Sequence, residues 1–245
     1  MDNDEKIFDN DNNLDEKTAS AHQDDELATE PKKKSTLRSI GEWIFAFAFA
    51  LIVTFSIKGF VMDFVVVDGS SMEPTLSTHD RLILTKLGYQ PKAGDIIVFD
   101  KNYSKREAQI DKRKSLYGGS IGWFEEFKYR YFPSRGLEIE PVYYVKRVIA
   151  MPGDVIDINS TTGKVQVNGN ILHEPYINGG ADAPTPKIGN LAYPYTVEPG
   201  YIFVMGDNRS HSEDSRMIGA VPISAVLGKA ALRIWPLKSF SIIYH

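Results

Sequence analysis

Val142-Tyr143-Tyr144-Val145-Lys146-Arg147-Val148-Ile149-Ala150, followed at once by Met151-Pro152-Gly153-Asp154, is the stretch on which the fold turns. Its β-branched and aromatic residues read as a strand, and Pro-Gly-Asp reads as the turn that ends it. Lys146 stands inside this otherwise apolar run. Side chains alternate along a strand, so Lys146 faces away from Val145 and Arg147. Two readings follow: an edge-strand lysine in solvent, or an inward lysine that must be neutral or paired.

Outward from this run, the chain repeats the pattern. Val61–Val67, Arg81–Leu84, Asp95–Phe99, Val155–Ile158, Lys164–Val167, Tyr201–Val204 and Ala231–Ile234 are short strand-like runs. Turn signals separate them at Pro91–Gly94, Thr162-Gly163 and Asn168-Gly169, the last two at hairpin spacing around Lys164–Val167. Many short strands with few convincing helices give a mostly β expectation. The domain should be antiparallel and barrel-like, with a small insertion containing a β-hairpin. Asp100–Ser115 is polar and reads as a mobile loop. Ile121–Phe132 places Phe124, Phe127 and Tyr131 near helical spacing; these aromatics either pack on the domain or dip into a lipid headgroup layer. Ala181–Gly200, with four prolines, reads as a long surface loop.

Composition narrows the chemistry. The chain has 245 residues, 42% apolar and 24% charged, with a net charge of −4, which suits one or two globular domains and gives no sign of a nucleic-acid binder. The absence of cysteine excludes a disulfide scaffold, a cysteine nucleophile and thiolate metal sites. No two of the five histidines are spaced for a metal-binding helix, so neither a metal nor another cofactor is expected.

The charge is uneven. Residues 1–30 carry eleven acids against Lys6 and Lys17, a net −9, which leaves +5 for residues 31–245. This acidic stretch lacks apolar periodicity and is expected to be disordered. A basic cluster follows, Lys32, Lys33, Lys34 and Arg38, and then Trp43–Ile57 contains no charge. Trp43–Met62 counts 20 residues, so as a helix it would span about 30 Å, one hydrocarbon core. Lys58 lies near one end, where it can snorkel. No small-x-small cleavage site follows, so the segment is expected to stay attached as an anchor. The preceding positive cluster places the N-terminus in the cytoplasm and everything after Met62 outside. The expected organisation is a cytoplasmic tail over residues 1–38, a transmembrane anchor over 39–62 and an extracytoplasmic β domain over 63–245. Its core comprises about 63–99, 142–157 and 200–245, with insertions at about 100–141 and 158–199.

Three segments could carry chemistry. Asp68-Gly69-Ser70-Ser71-Met72-Glu73-Pro74-Thr75-Leu76 follows a strand, and a serine there is rigidly presented; taken alone it reads as a structural turn, since serine-glycine turns are common. The second is the Lys146 strand. The third, Gly206-Asp207-Asn208-Arg209-Ser210-His211-Ser212-Glu213-Asp214-Ser215-Arg216, is a polar loop fit to support a site. Together, and in this order behind an anchor, they resemble the bacterial type I signal peptidases, membrane-anchored Ser/Lys proteases that cut signal peptides from exported proteins. The matching pieces are Gly69-x-Ser71-Met72-x-Pro74-Thr75, Tyr144-Val145-Lys146-Arg147 through Asp154, and Gly206-Asp207-Asn208-Arg209 through Ser212-x-Asp214-Ser215-Arg216. Gly219, Val221-Pro222, Gly228-Lys229-Ala230 and Trp235-Pro236 also look like that family.

The resemblance implies Ser71 as nucleophile and Lys146 as general base. It implies that Ser212 orients the amine, and that Asp214, Arg147 and Arg216 brace the backbone. Many relatives have serine where this chain has Gly69, which with the single anchor looks like the Gram-positive branch and leaves the Ser71 N–H as the main oxyanion donor. The implied substrates are exported preproteins whose apolar segments lie in the lipid bilayer. Ser71 lies nine positions after Met62, at most ~30 Å of chain, so the site should lie near the outer membrane face. The substrate should add as a strand between Phe64–Asp68 and Val142–Val145. By the resemblance, small residues at −1 and −3 should enter pockets lined by Val65, Val67, Met72, Leu76, Tyr144 and Val145. Three rivals stay open: a catalytically dead scaffold, a Ser–His–Asp hydrolase using His211 and Asp214, and a soluble self-cleaving Ser/Lys repressor.

Overall fold

The computed structural model describes residues 36–56, 62–116, 119, 122–131 and 138–243. The acidic stretch, Lys32–Lys34, Lys58 and His245 lie outside them. Helix α1 (Thr36–Ser56) begins in a unit of residues 1–46 and ends in a second unit of residues 47–245. It leaves Trp43, Phe45 and Phe47 exposed. Among the described residues, no helix is long and apolar enough to cross a membrane.

The second unit is antiparallel β throughout its two sheets. The first contains β1 (Met62–Val66), β2 (Arg81–Thr85), β3 (Ile96–Asp100), β4 (Tyr143–Ala150), β9 (Tyr201–Met205), β10 (Val221–Pro222), β11 (Val226–Trp235) and β12 (Ser241–Ile242). Its order is β1-β2-β11-β3-β4-β9-β10, with β12 on β11. The second contains β5 (Val155–Ile158), β6 (Val165–Val167), β7 (Asn170–Ile171) and β8 (Tyr195–Thr196), in the order β7-β6-β5-β8. The β6–β7 hairpin turns on Asn168 and Gly169, both at positive φ (52° and 79°), the conformation that a two-residue hairpin requires and that Asn-Gly accepts at low cost. Every strand-like run read from the sequence is a strand.

Two expectations need correction. The sheet is not a closed barrel. Its terminal strands β1 and β10 do not pair with each other, and β10 is a two-residue strand whose Pro222 has no N–H to give a ladder. Asp100–Ser115 is not a loop: Tyr103–Leu116 forms helix α2, and Trp123–Tyr131 forms α3. The α2 sequence has no apolar stripe to signal a helix, and Ile110 is its one buried side chain. It is instead built from Lys, Arg, Glu, Ala and Gln, which favour helix intrinsically. Ile110 and Tyr129 pack α2 on α3, while Phe124 is exposed; the side chains of Phe127 and Tyr131 are not among those described. Ala181–Gly200 is a loop apart from β8.

Candidate active site

The nucleophile segment is held by what flanks it. β1 runs into buried Val67, and the chain then turns through Gly69 (φ +97°) to Ser71. Met72 and Leu76, both fully buried, plug this turn into a core of Val67, Leu82, Leu84, Ile96, Val98 and Ala230, against which Val65 and Val145 also pack. Leu76 N–H donates to Met72 O at 2.9 Å, closing a helical turn just beyond the serine. Burial of two large side chains here stabilises the turn by roughly 3–6 kcal/mol, which holds Ser71 at the surface in one place.

Lys146 comes from mid-strand β4. It pairs across the ladder with Ile97 and is 3% exposed. Its Nζ lies 2.8 Å from Ser71 Oγ and donates to Val145 O at 3.0 Å. Burial disfavours the ammonium and brings the pKa down to about 8, while the carboxylates of Asp214, Glu213 and Asp207 oppose that shift. The inward reading of Lys146 is therefore the one the fold adopts.

The loop of residues 206–216 staples the two segments together. Asn208 donates from its backbone N–H to Ser71 O (3.0 Å) and from Nδ2 to Ser70 O (3.1 Å). Asp207, fully buried, accepts two parallel bonds from Arg147 Nε and Nη2 (2.8 and 2.7 Å) and a third from Thr75 Oγ1. One carboxylate thus joins the residue after the lysine to the residue four past the serine. Arg147 also donates to Gly94 O at 3.0 Å and lies 3.8 Å from the Tyr176 ring centroid. Arg216 grips Asp214 the same bidentate way (2.8 and 2.7 Å), and Asp214 accepts the Gly206 N–H at 3.0 Å. Asp214 also caps the short helix α4 (Ser215–Ile218). Arg209 donates to Gly206 O and pairs with buried Glu174. Gly206 has no room for a side chain: a Cβ there would come within 2.4 Å of Ser71 O and 2.3 Å of Ser212 Oγ.

A cleft of about 800 Å³ opens over the pair, lined by Phe64–Met72 on one side and Val142–Lys146 on the other, with His211 and Glu213. Among the described residues, β1 is the end strand of its sheet, and β9 pairs with β4 only from Arg147 onward, so Tyr143–Lys146 has one strand neighbour, β3, besides the bond from Lys146 Nζ to Val145 O.

The sequence-expected residues divide accordingly. Ser71, Lys146 and Gly69 meet at the cleft with Val65, Val67, Met72, Tyr144 and Val145. Leu76 does not line it; its side chain is spent plugging the turn into the core. Tyr144 packs with Phe99 and Ile97, a different cluster from Val145, because neighbours on a strand face opposite ways. The expected bond from Ser212 to the amine is not made: Ser212 Oγ is buried against Gly206 without a hydrogen-bond partner among the described residues. Arg147, Arg216 and Asp214 are paired as described. Asp207 was quoted within its motif but given no role, and Glu174 and Tyr176 were not singled out from the sequence, where an acid or tyrosine in a polar loop carries no signal of burial.

The family described as "Signal peptidase, peptidase S26" matches residues 40–235. The chain belongs to that family. It is 32% identical to Signal peptidase I of Mycobacterium tuberculosis, over 87% of this chain and 77% of that protein. It is 32% identical to the probable signal peptidase I-2 of Synechocystis sp., over 79% and 72% respectively. Against Signal peptidase IB of Staphylococcus aureus the identity is 28%, over 83% and 93%. The resemblance to bacterial type I signal peptidases read from three motifs is thus a family membership covering most of the chain, and at family level it makes the protein a serine-type peptidase that acts on signal peptides.

Proposed function

We propose that this S26 peptidase is a membrane-anchored endopeptidase that removes N-terminal signal peptides from exported preproteins through a Ser71/Lys146 dyad. The observation that carries it is the buried amine 2.8 Å from the serine oxygen at the base of an open cleft. In the neutral amine, one N–H donates to Val145 O and the lone pair accepts the Ser71 proton as Oγ attacks the scissile carbonyl carbon. The Ser71 N–H is the donor to the resulting oxyanion. The ammonium then returns its proton to the leaving amine, giving the acyl-enzyme and a free mature N-terminus. Water, deprotonated by the same amine, attacks the ester carbon; the acyl–Oγ bond breaks, the ammonium returns the proton to Ser71 Oγ, and the signal peptide leaves with a new carboxylate. Because the base must be neutral, kcat/KM should rise with pH through about 8, the value to which burial brings Lys146; a profile flat from pH 6 upward contradicts this role.

A Ser–His–Asp arrangement fits less well. Asp214 spends both oxygens on Arg216 and Gly206, and His211 is exposed. The anchor is read from the uncharged run Trp43–Ile57 and the lysines before it, with the N-terminus cytoplasmic and the β unit outside. Such an anchor brings the cleft to the membrane face where a signal peptide emerges.

An extended substrate would bond to the edges of β1 and β4, sending alternate side chains into the wall formed by Val65, Val67, Met72 and Val145. These bulky residues leave space for alanine. Leucine or phenylalanine at −1 overpacks the wall by about 1–3 kcal/mol, roughly 5- to 150-fold in rate. Val145→Ala should recover part of that loss. A −1 substitution series in one preprotein measures this; equal cleavage of alanine and phenylalanine substrates would overturn the proposed cleft.

A further inference from the structure

Glu213 lines the cleft, yet the acyl-transfer steps make no use of it. Two other elements grip its carboxylate. Tyr144 of β4 donates its hydroxyl to Oε2 at 2.5 Å, and Lys101, the residue after β3, donates to Oε1 and to the Tyr144 hydroxyl at 3.2 Å. The Tyr144 ring is fixed edge-on against Phe99, centroids 6.1 Å apart. That one ring lies 5.0 Å from Lys101 Nζ and 5.0 Å from Lys146 Nζ. We propose that Glu213 is a positioning residue for the base: with Lys101 and Tyr144 it forms a clamp that ties the loop of residues 206–216 to β4 and holds the aromatic ring against the Lys146 amine.

The clamp has an electrostatic signature. Lys146 is faced by Ser71 from the nucleophile turn and by Tyr144 from its own strand. From the loop it is faced by Asp207, Glu213 and Asp214, and across the ladder by uncharged Ile97. His211 lines the same cleft and is unchanged in the variants below. Arg147 pairs with Asp207 and Arg216 with Asp214, so Lys101 is the cation that offsets Glu213. Glu213 favours the protonated amine. Glu213→Gln removes that support and leaves Lys101 unopposed, so the base becomes neutral at lower pH. Lys101→Met releases the full charge of Glu213, so the base becomes neutral at higher pH. Both side chains are partly exposed (27% and 40%), so solvent screening limits each shift to roughly half a pH unit, about threefold in kcat/KM one unit below the midpoint.

The inference rests on the Ser71/Lys146 reading, and one experiment separates the two. The full-length protein in detergent, its Glu213→Gln and Lys101→Met variants, the double variant and Lys146→Ala are assayed on one Ala-x-Ala preprotein across pH 6–10. The clamp predicts shifts of opposite sign in the two single variants and a near-parental midpoint in the double, which loses a neutral pair. A purely structural role lowers activity without opposed shifts. Shifts of the same sign, or none above about 0.2 unit, with the parental midpoint present and Lys146→Ala inactive, overturn the clamp alone. An active Lys146→Ala overturns the dyad beneath it.

Discussion

Ser71→Ala and Lys146→Ala are each expected to lower kcat/KM on a preprotein by at least about 10³-fold, and the double variant to be no slower than either single. The reason is geometric. With Nζ 2.8 Å from Oγ, the two groups perform one proton transfer, and groups acting as a unit lose their contribution once, at the first deletion. His211→Ala should keep most of the activity, since His211 is exposed and Asp214 is occupied by Arg216 and Gly206. Ser71→Ala removes one oxygen, whereas Lys146→Ala removes three methylenes and the amine of a buried side chain, so the melting temperature of each variant is compared with the parent's to separate lost chemistry from lost fold. Multiple-turnover assays on the parent and the four variants check it. Strong activity in Lys146→Ala together with loss in His211→Ala would replace the Ser/Lys pair with a histidine base.

The second large effect is on stability. Arg147→Met should destabilise the second unit by about 3–5 kcal/mol, because it strands the carboxylate of Asp207 in a site with no solvent access. Two of the bonds to that carboxylate come from Arg147, and Thr75 supplies the other. For a unit of this length the melting temperature should fall by roughly 10 °C. Adding Asp207→Asn removes the stranded charge and should restore part of the loss, a coupling that a double-variant cycle reads directly. Catalysis should suffer beyond stability, since Asp207 ties the serine turn to the lysine strand. Thermal unfolding of the four proteins is the measurement; a single variant within about 1 kcal/mol of the parent would show that the pair carries little of the fold.

The strands were legible because alternating β-branched and aromatic runs between Gly, Pro and Asn turns leave little choice of structure; Val142–Ala150 and Lys164–Asn168 are examples. Ser71 and Lys146 were legible as a pair through the family resemblance that three motifs in order carry, and the fold adds their contact. α2 was missed because its helix rests on intrinsic propensity and a single buried isoleucine, with no stripe to mark it. The sheet's open end was missed because closure depends on whether two distant strands meet, which no local pattern encodes. Tyr144 and Leu76 were both assigned to the substrate wall by the family resemblance, and of the two only Tyr144 lines the cleft. Only the tertiary packing shows that Leu76 serves the core and that Tyr144 turns to Glu213 and Lys101. The same holds for Asp207 and Glu174, whose burial comes from partners far along the chain.

The most direct measurement incubates the detergent-solubilised full-length protein with a labelled preprotein bearing Ala-x-Ala at its junction, then sequences the N-terminus of the larger product. The dyad account predicts one new N-terminus immediately after the −1 alanine, formed by the parent and absent with Ser71→Ala. Cleavage elsewhere in the preprotein, or the same product from Ser71→Ala, would contradict it.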